Sequence, residues 1–103
     1  MVRRIVWAET ARTGFQGLLD YIHGRNPQGV AALLRKVGAA VSLLGEQPHG
    51  RPGRVAGTYE KSVPGLPYVV AYELDDTSPD DPALVVLRII HTARNWPSDA
   101  WPE

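Results

Sequence analysis

Apolar residues in the first half of the chain recur with a helical period. Between Glu9 and Arg25, Phe15, Leu18, Leu19 and Ile22 fall at the i, i+3, i+4, i+7 spacing that lines one face of a helix. Gly14 and Gly17 each weaken that helix by about 1 kcal/mol relative to alanine, a loss that tertiary packing must offset. Asn26-Pro27 reads as a second helix start, because the Asn side chain can accept free N–H groups and a proline at the first helical position has no donor to waste. The stripe Val30, Leu33, Leu34, Val37, Val41 and Leu44 carries this helix forward, and Gly45 suits the left-handed residue just past its end. With so short a link, the two helices should fold back as an antiparallel hairpin facing one core.

Elsewhere the pattern is that of strands. Residues 3 to 7 form a short β-branched and aromatic run bounded by polar residues. Residues 48 to 54, rich in Pro and Gly, read as a loop exposing Arg51 and Arg54. Alternation from Val55 to Val63 then predicts a strand with Val55, Tyr59, Lys61 and Val63 on one side and Thr58, Glu60 and Ser62 on the other. After the turn Pro64-Gly65-Leu66-Pro67, residues 68 to 74 and 84 to 91 form two strong strands around an acidic hairpin loop. The order β-α-α-β-β-β predicts an α+β domain spanning residues 1–103. In it a helical hairpin packs on one face of a mostly antiparallel four-stranded sheet, whose other face stays bare. From about residue 92 the tail has no periodicity.

Composition narrows the function classes. A chain of 103 residues with 44% apolar and 21% charged side chains supports one globular core. The absence of cysteine excludes a disulfide framework and a thiolate zinc site. Its three histidines lack metal-ligand spacing, so no metal or cofactor is expected. Glu9 interrupts the N-terminal apolar run, and no later segment approaches a bilayer-spanning length, so a cytoplasmic location away from membranes is expected. Eleven basic and eleven acidic residues cancel, which argues against gripping nucleic acid mainly through phosphates.

Several segments carry a family resemblance in order. They are Glu9 to Asn26-Pro27, Leu44 to Gly50-Arg51, Gly57-Thr58-Tyr59-Glu60, Pro67 to Tyr72, and Leu87-Arg88-Ile89-Ile90-His91-Thr92-Ala93-Arg94. Together they resemble the RelE/ParE superfamily, the toxins of bacterial type II toxin-antitoxin systems, over almost the whole chain. The resemblance implies a cognate antitoxin that wraps the toxin and blocks its active surface, with operator DNA met only through that antitoxin. Two targets follow from the two branches: DNA gyrase for ParE-like members, and mRNA in the ribosome for RelE-like members. A third reading is a degenerate member that survives only as an antitoxin-binding or DNA-regulatory partner.

The residues bear on that choice. Metal-free RNA cleavage needs a group to take the 2′-hydroxyl proton, one to protonate the leaving oxygen, and cations near the phosphorane. His91, Arg88, Lys61 and Arg54 are the catalytic candidates if the chain is a ribonuclease, with Glu60 also of a suitable type. The binding candidates are Arg51, Arg54, Tyr59, Arg88, Arg94 and Trp96, for an acidic antitoxin segment, a phosphate, a base or a protein surface. Alternation sets Arg88 and His91 on opposite faces unless a bulge or strand end intervenes. The Arg-x-x-His spacing resembles the ParE branch more closely. Against each functional role stands an ordinary one: His91 as a hydrogen-bonded histidine fixing the tail, the arginines as solvated charges, and Trp96 and Trp101 as side chains packed back onto the sheet.

Overall fold

The computed structural model describes residues 2–93, 97, 100 and 101. Seven elements follow in order: β1 (Arg4–Trp7), α1 (Glu9–Arg25), α2 (Pro27–Glu46), β2 (Arg51–Pro52), β3 (Tyr59–Ser62), β4 (Tyr68–Asp75) and β5 (Ala83–His91). The α+β class and the order of elements are those expected, with one addition. The Pro/Gly-rich segment read as pure loop contributes the two-residue β2, which pairs with β3 through Arg51–Glu60 and Pro52–Tyr59. The strand expected over 55–63 shrinks to Tyr59–Ser62, because Gly57 takes φ 81° in a turn that precedes it.

The sheet has five strands in the order β1-β5-β4-β3-β2, rather than four. It is mixed: β1 runs parallel to β5, with Arg4 opposite Ala83 and Trp7 opposite Val86, while the other pairs are antiparallel. The two-helix connection out of β1 and the hairpins that follow bring β5 back between β1 and β4. β1 ends at Trp7, so among the described residues the far half of β5, from Leu87 to His91, has no strand beyond it on that side.

The core lies between the helices and one sheet face. It joins Ala11 of α1, Leu33, Val37, Val41 and Leu44 of α2, Tyr68, Val70 and Tyr72 of β4, and Leu84 and Val86 of β5. Phe15, Leu18, Leu19 and Ile22 pack against it, as the helical period predicts.

Two glycine expectations change. Gly45 does not end α2 but lies inside it and is buried, where an added Cβ would come within 2.9 Å of the Ile5 side chain and 3.2 Å of the Arg3 carbonyl. It lets the helix approach β1 closely. Gly14 and Gly17, in contrast, have nothing within 4 Å of where a Cβ would stand, so close packing does not account for them. The cap at Asn26 also differs, since no side-chain bond forms and its backbone carbonyl accepts from the Gly29 N–H instead. Pro27 does occupy the first turn. Among the described residues, no helix is long and apolar enough to cross a membrane.

Candidate functional site

Register decides where the candidate side chains go. The β4–β5 ladder shifts between Ala71 and Tyr72: Ala71 faces Arg88 but Tyr72 faces Val86, leaving Leu87 as an extra residue. Residues opposite one another share a face, so Val86 and Ile89 both join the helix side across this bulge, and Arg88 and Ile90 fall on the outer side. Because the bulge precedes Arg88, it leaves the three-residue offset to His91 intact. Arg88 therefore lies beside Ala71 on the outer face, and His91 lies beside Tyr68 on the helix side. The ribonuclease set expected around one phosphate is thus divided between the two faces.

On the outer face a row runs across the strands from Arg51 through Glu60 and Ala71 to Arg88. Glu60 is buried at 3% exposure, an unusual state for a carboxylate unless it is paired. Its Oε2 accepts the Arg54 backbone N–H at 2.9 Å and the Trp101 indole N–H at 3.2 Å, while the Arg51 guanidinium stands 3.6 Å from Oε1. The Arg54 guanidinium donates to the Pro97 carbonyl at 3.1 Å. Gly53 makes this wrapping possible, since a Cβ there would meet the Thr58 hydroxyl at 2.5 Å and Glu60 Oε2 at 3.3 Å. Val69, Ala71 and Ile90 are buried although they point away from the helices. The face expected to be bare is therefore partly covered, and Trp101 packs back onto the sheet side.

On the helix side, Tyr59 stacks on Tyr72 with ring centroids 5.6 Å apart, which commits both rings to packing rather than to stacking on a base. The Tyr72 hydroxyl accepts the Gly50 N–H at 2.8 Å. Burial and the nearby Tyr59 raise the Tyr72 pKa above its ordinary value, against the lowering effect of that bond. Lys61, beside Val70 in register, borders a small hollow with Lys36, Leu43 and His49 at the α2 end of the sheet.

His91 belongs to a different hollow, a groove of about 680 Å³ between α1 and the unpaired half of β5. Thr10, Gly14, Gly17, Leu18 and Tyr21 form its helical wall, and Tyr68 with residues 88–91 forms the other. The His91 ring meets Tyr68 edge-on at 5.1 Å, and its Nδ1 accepts the Ala93 N–H at 2.9 Å. A neutral ring held this way carries its proton on Nε2. Burial and the proximity of Tyr21 raise the Tyr68 pKa. Tyr21 is 58% exposed, with the Arg25 guanidinium 4.7 Å from its ring centroid. Sequence reasoning missed this groove. Its signal was the small-residue spacing of Gly14 and Gly17 on the helix face next to the apolar stripe. Arg94 and Trp96 lie outside the described residues. Among the described residues no group of acidic or histidine side chains could hold a metal ion.

Residues 5–96 match the family model described as "ParE toxin of type II toxin-antitoxin system, parDE". The chain belongs to this ParE toxin family. A relative from Sinorhizobium fredii, named "Putative toxin Y4kP", is 31% identical to this ParE-family chain over 96 residues, covering 92% of it and 94% of the relative. Two solved structures share the ParE-family fold. One, from the chromosomal ParDE toxin-antitoxin system of P. aeruginosa, superposes with a TM-score of 0.74 at 16% identity, covering 87% of this chain and 96% of that one. The other, from the RelBE2 toxin-antitoxin complex of Mycobacterium tuberculosis, gives 0.54 at 24% identity, covering 88% and 99%. At these identities the likeness concerns the fold. This ParE-family chain is thus a type II toxin of the RelE/ParE superfamily.

Proposed function

We propose that this toxin arrests growth by binding a protein target, DNA gyrase, through its last strands and tail, and that a cognate antitoxin neutralises it by direct contact. The observation that supports a binding mode over RNA cleavage is that the four candidates do not converge: Arg88 and His91 line the groove beside α1, Lys61 borders the α2 hollow, and the Arg54 guanidinium donates to the Pro97 carbonyl. Acid-base cleavage needs its proton-transfer groups and cations within hydrogen-bond reach of one phosphate. Here Arg54 and Lys61 stand outside the groove that Arg88 and His91 line, and His91 Nδ1 is already occupied by the Ala93 N–H. The zero net charge points the same way, as does the likeness to the ParDE toxin. For the antitoxin, the groove beside α1 offers an apolar wall and a stretch of β5 that among the described residues has no strand on its β1 side, and operator DNA is then reached only through the antitoxin.

Expression from a tightly controlled promoter, with and without the neighbouring reading frame, tests this reading. The expected result is growth arrest relieved by the neighbour, early DNA-damage signalling, intact transcripts, and loss of supercoiling when purified toxin is added to gyrase. Rapid cuts in translated messages, abolished by His91→Gln and Arg88→Ala while antitoxin binding persists, would replace it with the ribonuclease reading. Absence of any growth arrest would overturn both.

A further inference from the structure

α2 carries a second line of residues that the core uses only in part. Lys36, Ala39, Ala40 and Leu43 recur at i, i+3, i+4 and i+7, beside the sheet-facing stripe of Leu33, Val37, Val41 and Leu44. This line forms one wall of a hollow of about 210 Å³, and Lys61 of β3 with Pro64 of the following turn forms the other. The apolar wall is open to solvent, with Leu43 49% exposed. Its charged and titratable side chains are all basic: Lys36, Lys61 and His49. Lys36 reaches across to the turn, since a Cβ on Gly65 would stand 3.0 Å from its Nζ. Among the described residues neither lysine forms an ion pair. From Pro27 to Tyr68 the acids are Glu46 and Glu60 alone, against Arg35, Lys36, Arg51, Arg54 and Lys61, and Glu60 is occupied by Arg51 on the outer face. The neutral chain is therefore locally basic here.

We propose that this hollow docks an acidic segment of a partner protein, which seats one apolar side chain against Ala39, Leu43 and Pro64 and sets its carboxylates on Lys36 and Lys61. Size and charge choose that occupant. The hollow is smaller than the roughly 300–1,000 Å³ of small-molecule sites, so it suits a side chain rather than a whole metabolite. Its two half-buried lysines lay their stems along the wall and carry charges with no counter-ion in the chain, which an acidic segment supplies and a neutral or basic one does not. A second copy of this chain fits less well, because Asp76 and Asp81 of its acidic loop are already paired with Arg3 and Arg4. The hollow lies at the β3 side of the sheet and the groove beside α1 at the β5 side, so this contact is separate from that groove and holds whichever molecule the toxin poisons.

Fluorescence anisotropy on the full chain, made by cell-free synthesis, tests the site with the fluorescein-labelled peptide Asp-Glu-Leu-Leu-Glu-Asp as probe. The peptide should bind, and less tightly as salt rises. Lys36→Gln together with Lys61→Gln should weaken binding by roughly tenfold, whereas Arg25→Gln with Arg35→Gln, which removes the same charge away from the hollow, should change it by less than about twofold. Replacing both leucines of the peptide with serine should also weaken binding by roughly tenfold or more. Circular dichroism checks that each variant is folded, and the glutamines keep much of the lysine stem. Ala39→Trp, which fills the hollow without touching its charges, should block the peptide independently. No binding of the peptide, equal binding of its serine form, or equal weakening by the two pairs of variants would overturn the proposal. So would displacement of the peptide by an equal concentration of octanoate, which would give the hollow to a fatty carboxylate, or self-association abolished by the lysine variants, which would give it to a second copy.

Discussion

On the face turned toward the helices, Val70, Tyr72, Leu84 and Val86 are buried by side chains from both helices. On the outer face, Val69, Ala71 and Ile90 lie beside one carboxylate that holds a loop and a distant tryptophan. The first arrangement is redundant, because each core residue touches several others and no single group organises the rest. The second converges on Glu60. The difference teaches that two kinds of packing, one shared among many side chains and one centred on a single carboxylate, lie back to back on the same strands.

That contrast is broken most severely from the helix side. Leu44→Ala empties a fully buried site and should cost about 2–5 kcal/mol in urea-induced unfolding. Glu60→Ala should cost less, about 1–3 kcal/mol, since its partners lie near the surface and water can satisfy them. Equal losses from the two variants would erase the distinction between the faces. Gly17→Ala should stabilise the fold by about 0.5–1 kcal/mol, because the added methyl meets nothing within 4 Å. It would also narrow the groove beside β5, so weaker antitoxin binding despite higher stability would place the antitoxin there.

The smallest effects are those of pH. Tyr68 and Tyr72 have pKa values raised above 10.0, chiefly by burial. A raised folded pKa gives stability that is complete below the unfolded value and is lost as pH climbs through the folded one, so decline should begin above about pH 10. Tyr72→Phe should remove its share of that decline. On the exposed acidic loop, hydrogen bonds from the Thr77 hydroxyl and N–H, with help from Arg4, hold the Asp75 carboxyl below its ordinary value. Its contribution is present above the ordinary carboxylate range and disappears as pH falls through the lowered one. Thr77→Ala should move the Asp75 titration upward in a carboxylate NMR experiment, with little change in thermal stability.

How much could be read from the sequence follows from how local each signal is. The two helices were legible to within two residues because their apolar period is carried by many side chains, and both long strands because their runs are strong. The parallel pairing of β1 with β5 was not legible, since nothing within either segment encodes a partner at the other end of the chain. The role of Gly45 was misread because the same residue serves a helix end and a close helix-strand contact. Alternation correctly divided Arg88 from His91, while the bulge at Leu87 depends on packing that no local pattern reports. Glu60 was recognisable as a polar residue opposing Tyr59 and Lys61. Its hydrogen bond to Trp101 joins it to a residue some forty positions away in sequence, which no local pattern reports.

The late position of β5 in the chain also bears on how the toxin comes into being. This strand is the keystone between β1 and the β4-β3-β2 meander, and Arg4 must wait for Ala83 before it has a partner. A nascent chain that has not yet exposed residues 83–91 owns a hairpin of helices and a detached ribbon, but neither the groove beside α1 nor the row ending at Arg88. Pairing across so long a stretch of chain is slow to form, because the entropy of closing the loop is lost before the contact rewards it. A chain still short of β5 therefore holds the pieces of the fold without the strand that joins them.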